Sequence, residues 1–135
     1  MKRALVVDDN RGDVTLMVQA VSESGVAIEL LTAEGATRAF TFLRQQPVDA
    51  LPHVIVLDLR MPVIDGLAAL RIFKAEPAWS AIPVVVFSSS RYPTERAECL
   101  KAGAVCVQVK PQTWDQYLDL AKSLEAFLTR GCTPA

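Results

Sequence analysis

Short apolar runs alternate with stretches of helical periodicity along the whole chain. Ala4–Val7, Ile28–Thr32, Val54–Leu57, Val84–Phe87 and Cys106–Val109 have the composition of strands. Three of them are almost unbroken Val, Ile, Leu or Phe, as befits strands covered on both faces. Between the strands, apolar residues recur at helical spacing over about residues 13–24, 36–45, 67–75, 94–102 and 114–129. Gly25 is a natural stop for the first helix and Gly103 for the fourth. Thr113-Trp114-Asp115-Gln116 reads as a capping box opening the fifth, whose Trp114, Tyr117, Leu118, Ala121, Leu124 and Leu128 form one apolar stripe. This alternation predicts an α/β fold of three layers, a doubly wound five-stranded parallel sheet with right-handed crossovers. The common strand order for this element count is 2-1-3-4-5. There is no internal repeat and no linker, so residues 1–130 are expected to form one domain and 131–135 a flexible tail.

The strands end in polar groups. The first is followed by Asp8 and Asp9, the third by Asp58, the fourth by Ser88, and the fifth by Lys110 and Pro111. Carboxylates and an ammonium at the tips of buried strands are costly unless they meet and satisfy one another. In the order 2-1-3-4-5, strands 1 and 3 flank the topological switch point, where ligands bind outside the carboxyl ends of the strands. Three clustered carboxylates repel one another and call for a cation, and an all-oxygen donor set suits magnesium. With Lys110 and Ser88 beside them, these groups make a cradle for a phosphoryl group, and Asp58 is the candidate nucleophile.

Composition narrows the setting. Fourteen basic residues face 15 acidic ones for a formal net charge of -1, and the basic residues form no block. Binding to nucleic acid or to an anionic membrane surface is therefore not expected. The apolar runs are too short to span a bilayer, and Met1-Lys2-Arg3 leads straight into a strand rather than a secretory leader. Cys99, Cys106 and Cys132 fit neither a disulfide framework nor a zinc site, so a reducing cytoplasm is the expected location.

The motifs together resemble the receiver domain of bacterial two-component response regulators, over about residues 3–129. The matching pieces are Leu5-Val6-Val7-Asp8-Asp9-Asn10, Val56-Leu57-Asp58-Leu59-Arg60-Met61-Pro62 with Asp65-Gly66, Ile82–Ser89, and Lys110-Pro111. Asn10-Arg11-Gly12-Asp13 and Ile72–Pro77 further resemble stand-alone regulators that serve phytochrome-type sensor kinases. The resemblance implies the flavodoxin-like, CheY-like version of the doubly wound fold. It implies that Asp58 accepts the phosphoryl group and that Asp9, Asp58 and the Arg60 backbone carbonyl bind magnesium, with Asp8 helping through water. Ser88 would hydrogen-bond the phosphoryl group, Lys110 would pair with one of its oxygens, and the Lys110–Pro111 bond would be cis. It also implies a signalling protein rather than an enzyme, phosphorylated by a sensor histidine kinase and acting on a downstream protein by contact or by relaying the phosphate onward. The face made by the fourth helix, fifth strand and fifth helix is the implied reporting surface and a candidate homodimer contact.

The chain departs from that family at Val107, where receivers usually carry Tyr or Phe as a rotating switch. Arg60 is a large charged choice beside the phosphoryl site. Two other readings stand beside the phosphoacceptor. A degenerate receiver that binds partners without phosphate draws some support from Val107. An aspartyl-phosphate phosphohydrolase would want a second Asp where the chain has Arg60. His53, the one histidine, precedes a strand and reads as a loop residue. Arg11-Gly12-Asp13 reads as a chance adhesion tripeptide, Trp79 as the pin of a loop, and Trp114, Tyr117 and Phe127 as packing residues.

Overall fold

The computed structural model describes residues 1–61, 64–88 and 93–130. Pro62 and Ser89 of the motifs, Cys132 and the expected tail lie outside the described residues. The elements run β1 (Lys2–Val7), α1 (Arg11–Ser24), β2 (Ile28–Ala33), α2 (Ala36–Arg44), β3 (Val54–Asp58), α3 (Gly66–Ala75), β4 (Val84–Ser88), α4 (Pro93–Lys101), β5 (Cys106–Val109) and α5 (Trp114–Arg130). A short 3-10 turn, Val48–Ala50, precedes β3. The five strands form one parallel sheet in the order β2-β1-β3-β4-β5, as the alternating pattern predicts.

Strand side chains alternate between the two faces, so each strand feeds two cores. Leu5, Val7, Ile55, Leu57, Val84 and Val86 pack with Phe40 and Leu43 of α2, Leu70 and Phe73 of α3, and Cys99 of α4. Ala4, Val6, Val54, Val56, Val85 and Phe87 pack with Met17 and Val21 of α1 and Leu120, Ala121 and Leu124 of α5. Each fully buried Val, Leu or Ile contributes about 1.5–3 kcal/mol, so the unbroken apolar runs hold the sheet between its two helical layers.

Local signals fix the helix ends. The Asn10 side chain accepts from the Asp13 N–H at 3.1 Å and opens α1. Gly25 closes it at φ 72°, a left-handed conformation that favours glycine. The capping box of α5 forms as expected: the Gln116 N–H donates to Thr113 Oγ1 at 3.2 Å, and Gln116 Oε1 accepts from the Thr113 N–H at 3.4 Å.

Trp79 plays its expected part, and two other expectations shift. Trp79 pins the α3–β4 connection by entering the core, where its ring stacks on Phe40 at 5.9 Å and meets Phe73 edge-on at 6.1 Å. Trp114 begins α5 beside Gln19, Ser22 and Glu23, and it is exposed although the stripe places it inward. It shares a surface hollow with these polar residues of α1 and is not among the side chains packed under the sheet. The Lys110–Pro111 bond is trans, against the cis form that the family resemblance implies. The two isomers of an X–Pro bond differ by only about 0.5–1 kcal/mol, so the dipeptide alone does not choose between them.

Candidate functional site

Sheet register gathers the polar strand tips. Val7 pairs with Leu57, which sets Asp8 and Asp58 side by side one residue further on. Asp58 pairs with Phe87, and Ser88 follows. Backbone bonds anchor each tip: Asp8 N–H donates to Ala33 O at 3.1 Å, Leu59 N–H to Phe87 O at 2.9 Å, and Lys110 N–H to Ser88 O at 2.9 Å. Asp8, Asp58 and Ser88 are the buried polar side chains of the sheet, while Asp9 is exposed at the rim.

The Lys110 ammonium is the hub. Its Nζ lies 3.0 Å from Asp8 Oδ2, 2.7 Å from Asp13 Oδ2 and 3.4 Å from Asp58 Oδ2. Burial alone would lower the lysine pKa, but the bonds to Asp13 and Asp8 and the charge of Asp58 raise it above its ordinary value. Lys110 is therefore a fixed positive charge. Asp58 is driven the other way from most paired carboxylates. Burial and the neighbouring Asp8 charge push its pKa from 3.8 up to about 6, against the opposing pull of Lys110 and the Arg60 N–H. One lysine does not neutralise this cluster.

The donor set fits a hard cation. Asp8, Asp9 and Asp58 each offer a carboxylate oxygen, and these oxygens lie within 4.8 Å of one another. An oxygen-only set with an exposed member suits magnesium, which keeps several waters and needs few protein ligands.

Residues 4–122 match the family described as the response regulator receiver domain. The chain belongs to that family. Rcp1, a response regulator from Synechocystis, is 27% identical over 129 residues, covering 93% of this chain and 88% of its own. The phosphorylated cyanobacterial phytochrome response regulator RcpA superposes with a TM-score of 0.83 at 30% identity, covering 98% of this chain and 96% of its own. The Mn(2+)-bound form of Rcp1 superposes with a TM-score of 0.81 at 26% identity, covering 100% and 99%.

Within this receiver, sequence reasoning brought together Asp8, Asp9, Asp58, Ser88 and Lys110 but missed two neighbours. Asp13 is the tightest partner of Lys110, and its Oδ1 also accepts from the Tyr117 hydroxyl at 3.4 Å. Burial, then the Asp13 charge, pushes the Tyr117 pKa to about 12. The signal was present in the supposed adhesion tripeptide: the N-cap Asn10 turns the chain so that Asp13, in the first turn of α1, faces the site. The second missed residue is Glu95 on α4. Its Oε1 accepts from the Ser88 hydroxyl at 3.1 Å, and its Oε2 lies 3.6 Å from the Arg60 guanidinium. No motif marks it.

Gly66 supports the floor. A Cβ there would lie 2.4 Å from Leu59 Cα and 2.5 Å from the Asp58 carbonyl oxygen. The start of α3 can approach the backbone under Asp58 only as glycine, and the Gly66 N–H bonds the Leu59 carbonyl at 2.9 Å. At the switch position, Val107 is buried, and its carbonyl accepts from Arg96 Nη1 of α4 at 2.9 Å. His53 precedes β3 and lies off any helix, its Nδ1 accepting from the Arg3 N–H at 3.0 Å. Among the described residues, no helix is long and apolar enough to cross a membrane.

Proposed function

We propose that this receiver takes a phosphoryl group from the phosphohistidine of a sensor histidine kinase onto Asp58 and signals through protein contacts that depend on it. The observation that carries the reading is the hub of Lys110 among Asp8, Asp13 and Asp58, with three carboxylate oxygens grouped beside it. An Asp58 oxygen would attack phosphorus, the phosphorus–nitrogen bond would break, and the imidazole would leave with the electron pair. The product is an acyl phosphate. Asp58 must be ionised to attack, and its pKa of about 6 leaves it mostly so at neutral pH.

Asp9, Asp58 and the Arg60 carbonyl would hold magnesium, with Asp8 acting through water. The ion supplies charge neutralisation for the transferring oxygens. Lys110, at the end of β5, would hold one phosphoryl oxygen, and Ser88, at the end of β4, would donate to another in place of Glu95. The likeness to regulators named for phytochromes supports a phytochrome-type kinase as the donor. Residues 1–130 act here as one cytoplasmic receiver domain. Output passes to a downstream protein or a homodimer through the face of α4, β5 and α5. The protein acts as a phosphoacceptor rather than a turnover enzyme.

The test is incubation with magnesium and acetyl phosphate followed by intact mass. One phosphate adduct that disappears with chelator and in Asp58→Asn supports the reading. No adduct with any donor supports a receiver that works without phosphate, and many phosphate esters hydrolysed per protein supports a phosphohydrolase.

A further inference from the structure

Val107 leaves this receiver without an aromatic side chain at the usual switch position, yet α4 is tied to the site by another route. Glu95, in the first turn of α4, holds both groups at the mouth of the cradle. One carboxylate oxygen accepts from the Ser88 hydroxyl at 3.1 Å, and the other faces the Arg60 guanidinium at 3.6 Å. The next residue, Arg96, bonds the Val107 carbonyl on β5 at 2.9 Å. Two adjacent side chains of α4 therefore grip the phosphorylation site and the fifth strand. Arg60 and Glu95 face a cleft of about 560 Å3 between α3 and α4, which leaves both side chains room to turn.

We propose that Glu95 is a latch: in the resting protein it occupies Ser88 and Arg60, and a phosphoryl group on Asp58 releases α4 by taking both from it. The inference rests on Asp58 being the phosphoacceptor. The competition is one of charge. Glu95 offers a single negative charge, whereas a phosphoryl group carries about −1.5 to −2 and three strong acceptor oxygens. Once the phosphoryl group is in place, Glu95 is a like charge beside it and has lost both partners. Its stable course is to turn away, which loosens the first turn of α4, and Arg96 carries that displacement to the backbone of β5 at Val107. Arg60 thereby gains a second role as the cation the two anions compete for. Glu95 acts through Ser88 and Arg60 and is a positioning residue.

The test uses beryllium fluoride with magnesium as a phosphoryl analogue, read by 19F NMR on the full chain. Removing one unit charge at hydrogen-bonding range of Ser88 should tighten analogue binding by about tenfold in Glu95→Gln. That substitution is nearly isosteric and partly exposed, and Glu95→Ala serves as a second variant. In an Arg60→Ala background the gain from Glu95→Gln should shrink, because the cation it liberates is gone. Hydrogen exchange supplies a structural readout: amides in the first turns of α4 should exchange faster in free Glu95→Gln than in the free parent, and faster in the parent once the analogue binds. Unchanged affinity in both Glu95 variants, full additivity with Arg60→Ala, or α4 exchange that ignores both substitution and analogue overturns the latch. A parent that binds no analogue overturns the phosphoacceptor reading itself, and the latch with it.

Discussion

Replacing Asp58 by Asn should make the metal-free protein more stable. Burial and the Asp8 charge raise the Asp58 pKa from 3.8 in an unfolded chain to about 6 in the fold. The folded state thus binds this proton more tightly than the unfolded state does. The stability that comes with it is fully present below about pH 4 and is lost as pH rises through about 6. At pH 7 holding this carboxylate ionised costs the fold about 3 kcal/mol, the free-energy equivalent of raising its pKa from 3.8 to about 6. Asn keeps the shape and removes the charge, and the pull of Lys110 at 3.4 Å is already contained in the value of about 6. The net gain should be about 1–3 kcal/mol. Urea unfolding in chelator, followed by the fluorescence of the buried Trp79, measures it. The gain at pH 7 should vanish near pH 4, and magnesium should narrow it by stabilising the parent alone. An Asn variant less stable than the parent at pH 7, or a difference independent of pH, would refute the electrostatic account of the site.

Other substitutions probe separate parts of the construction. Lys110→Met removes the cation shared by Asp8, Asp13 and Asp58 and should cost about 2 kcal/mol or more at pH 7, measured by the same unfolding assay; a neutral effect would mean the carboxylates are solvated. Gly66→Ala forces a Cβ into the backbone at Asp58 and Leu59, and it should destabilise by about 3 kcal/mol and slow adduct formation together. Phe73→Ala opens the core between Phe40 and Trp79 and should cost about 3–5 kcal/mol while the remaining folded protein still takes phosphate. Arg60→Ala should change the rate of phosphate release from Asp58, followed by intact mass over time; a rate equal to the parent's would remove Arg60 from the chemistry.

The fold was legible because its information is local and repeated. Unbroken Val, Ile and Leu runs of four or five residues suit strands covered on both faces, and their alternation with helices leaves few topologies. The strand tips were legible for the same reason, since Asp8, Asp58, Ser88 and Lys110 stand where apolar runs stop. What escaped were contacts between sites on different elements. Asp13 and Glu95 sit in first turns of helices, where an acidic residue is commonplace and answers to the helix dipole. Only the packing of α1 and α4 against the strand ends makes them partners of Lys110 and Ser88. Trp114 was misplaced because a helical stripe says which side of α5 is apolar but not where that side meets the polar residues of α1. The trans Lys110–Pro111 bond shows the limit of resemblance for a choice of isomer that sequence leaves nearly balanced.

A phosphoryl group on the proposed acceptor, the Asp58 carboxylate, would leave a chemical signature. Borohydride reduces an acyl phosphate to an alcohol, so treating the phosphorylated protein should leave homoserine in place of aspartate at the modified position, located by peptide mass sequencing. Homoserine should appear at position 58 alone, and only when magnesium and phosphodonor are both supplied. Homoserine at position 8, 9 or 13, or none beside a clear phosphate adduct, would contradict Asp58 as the acceptor.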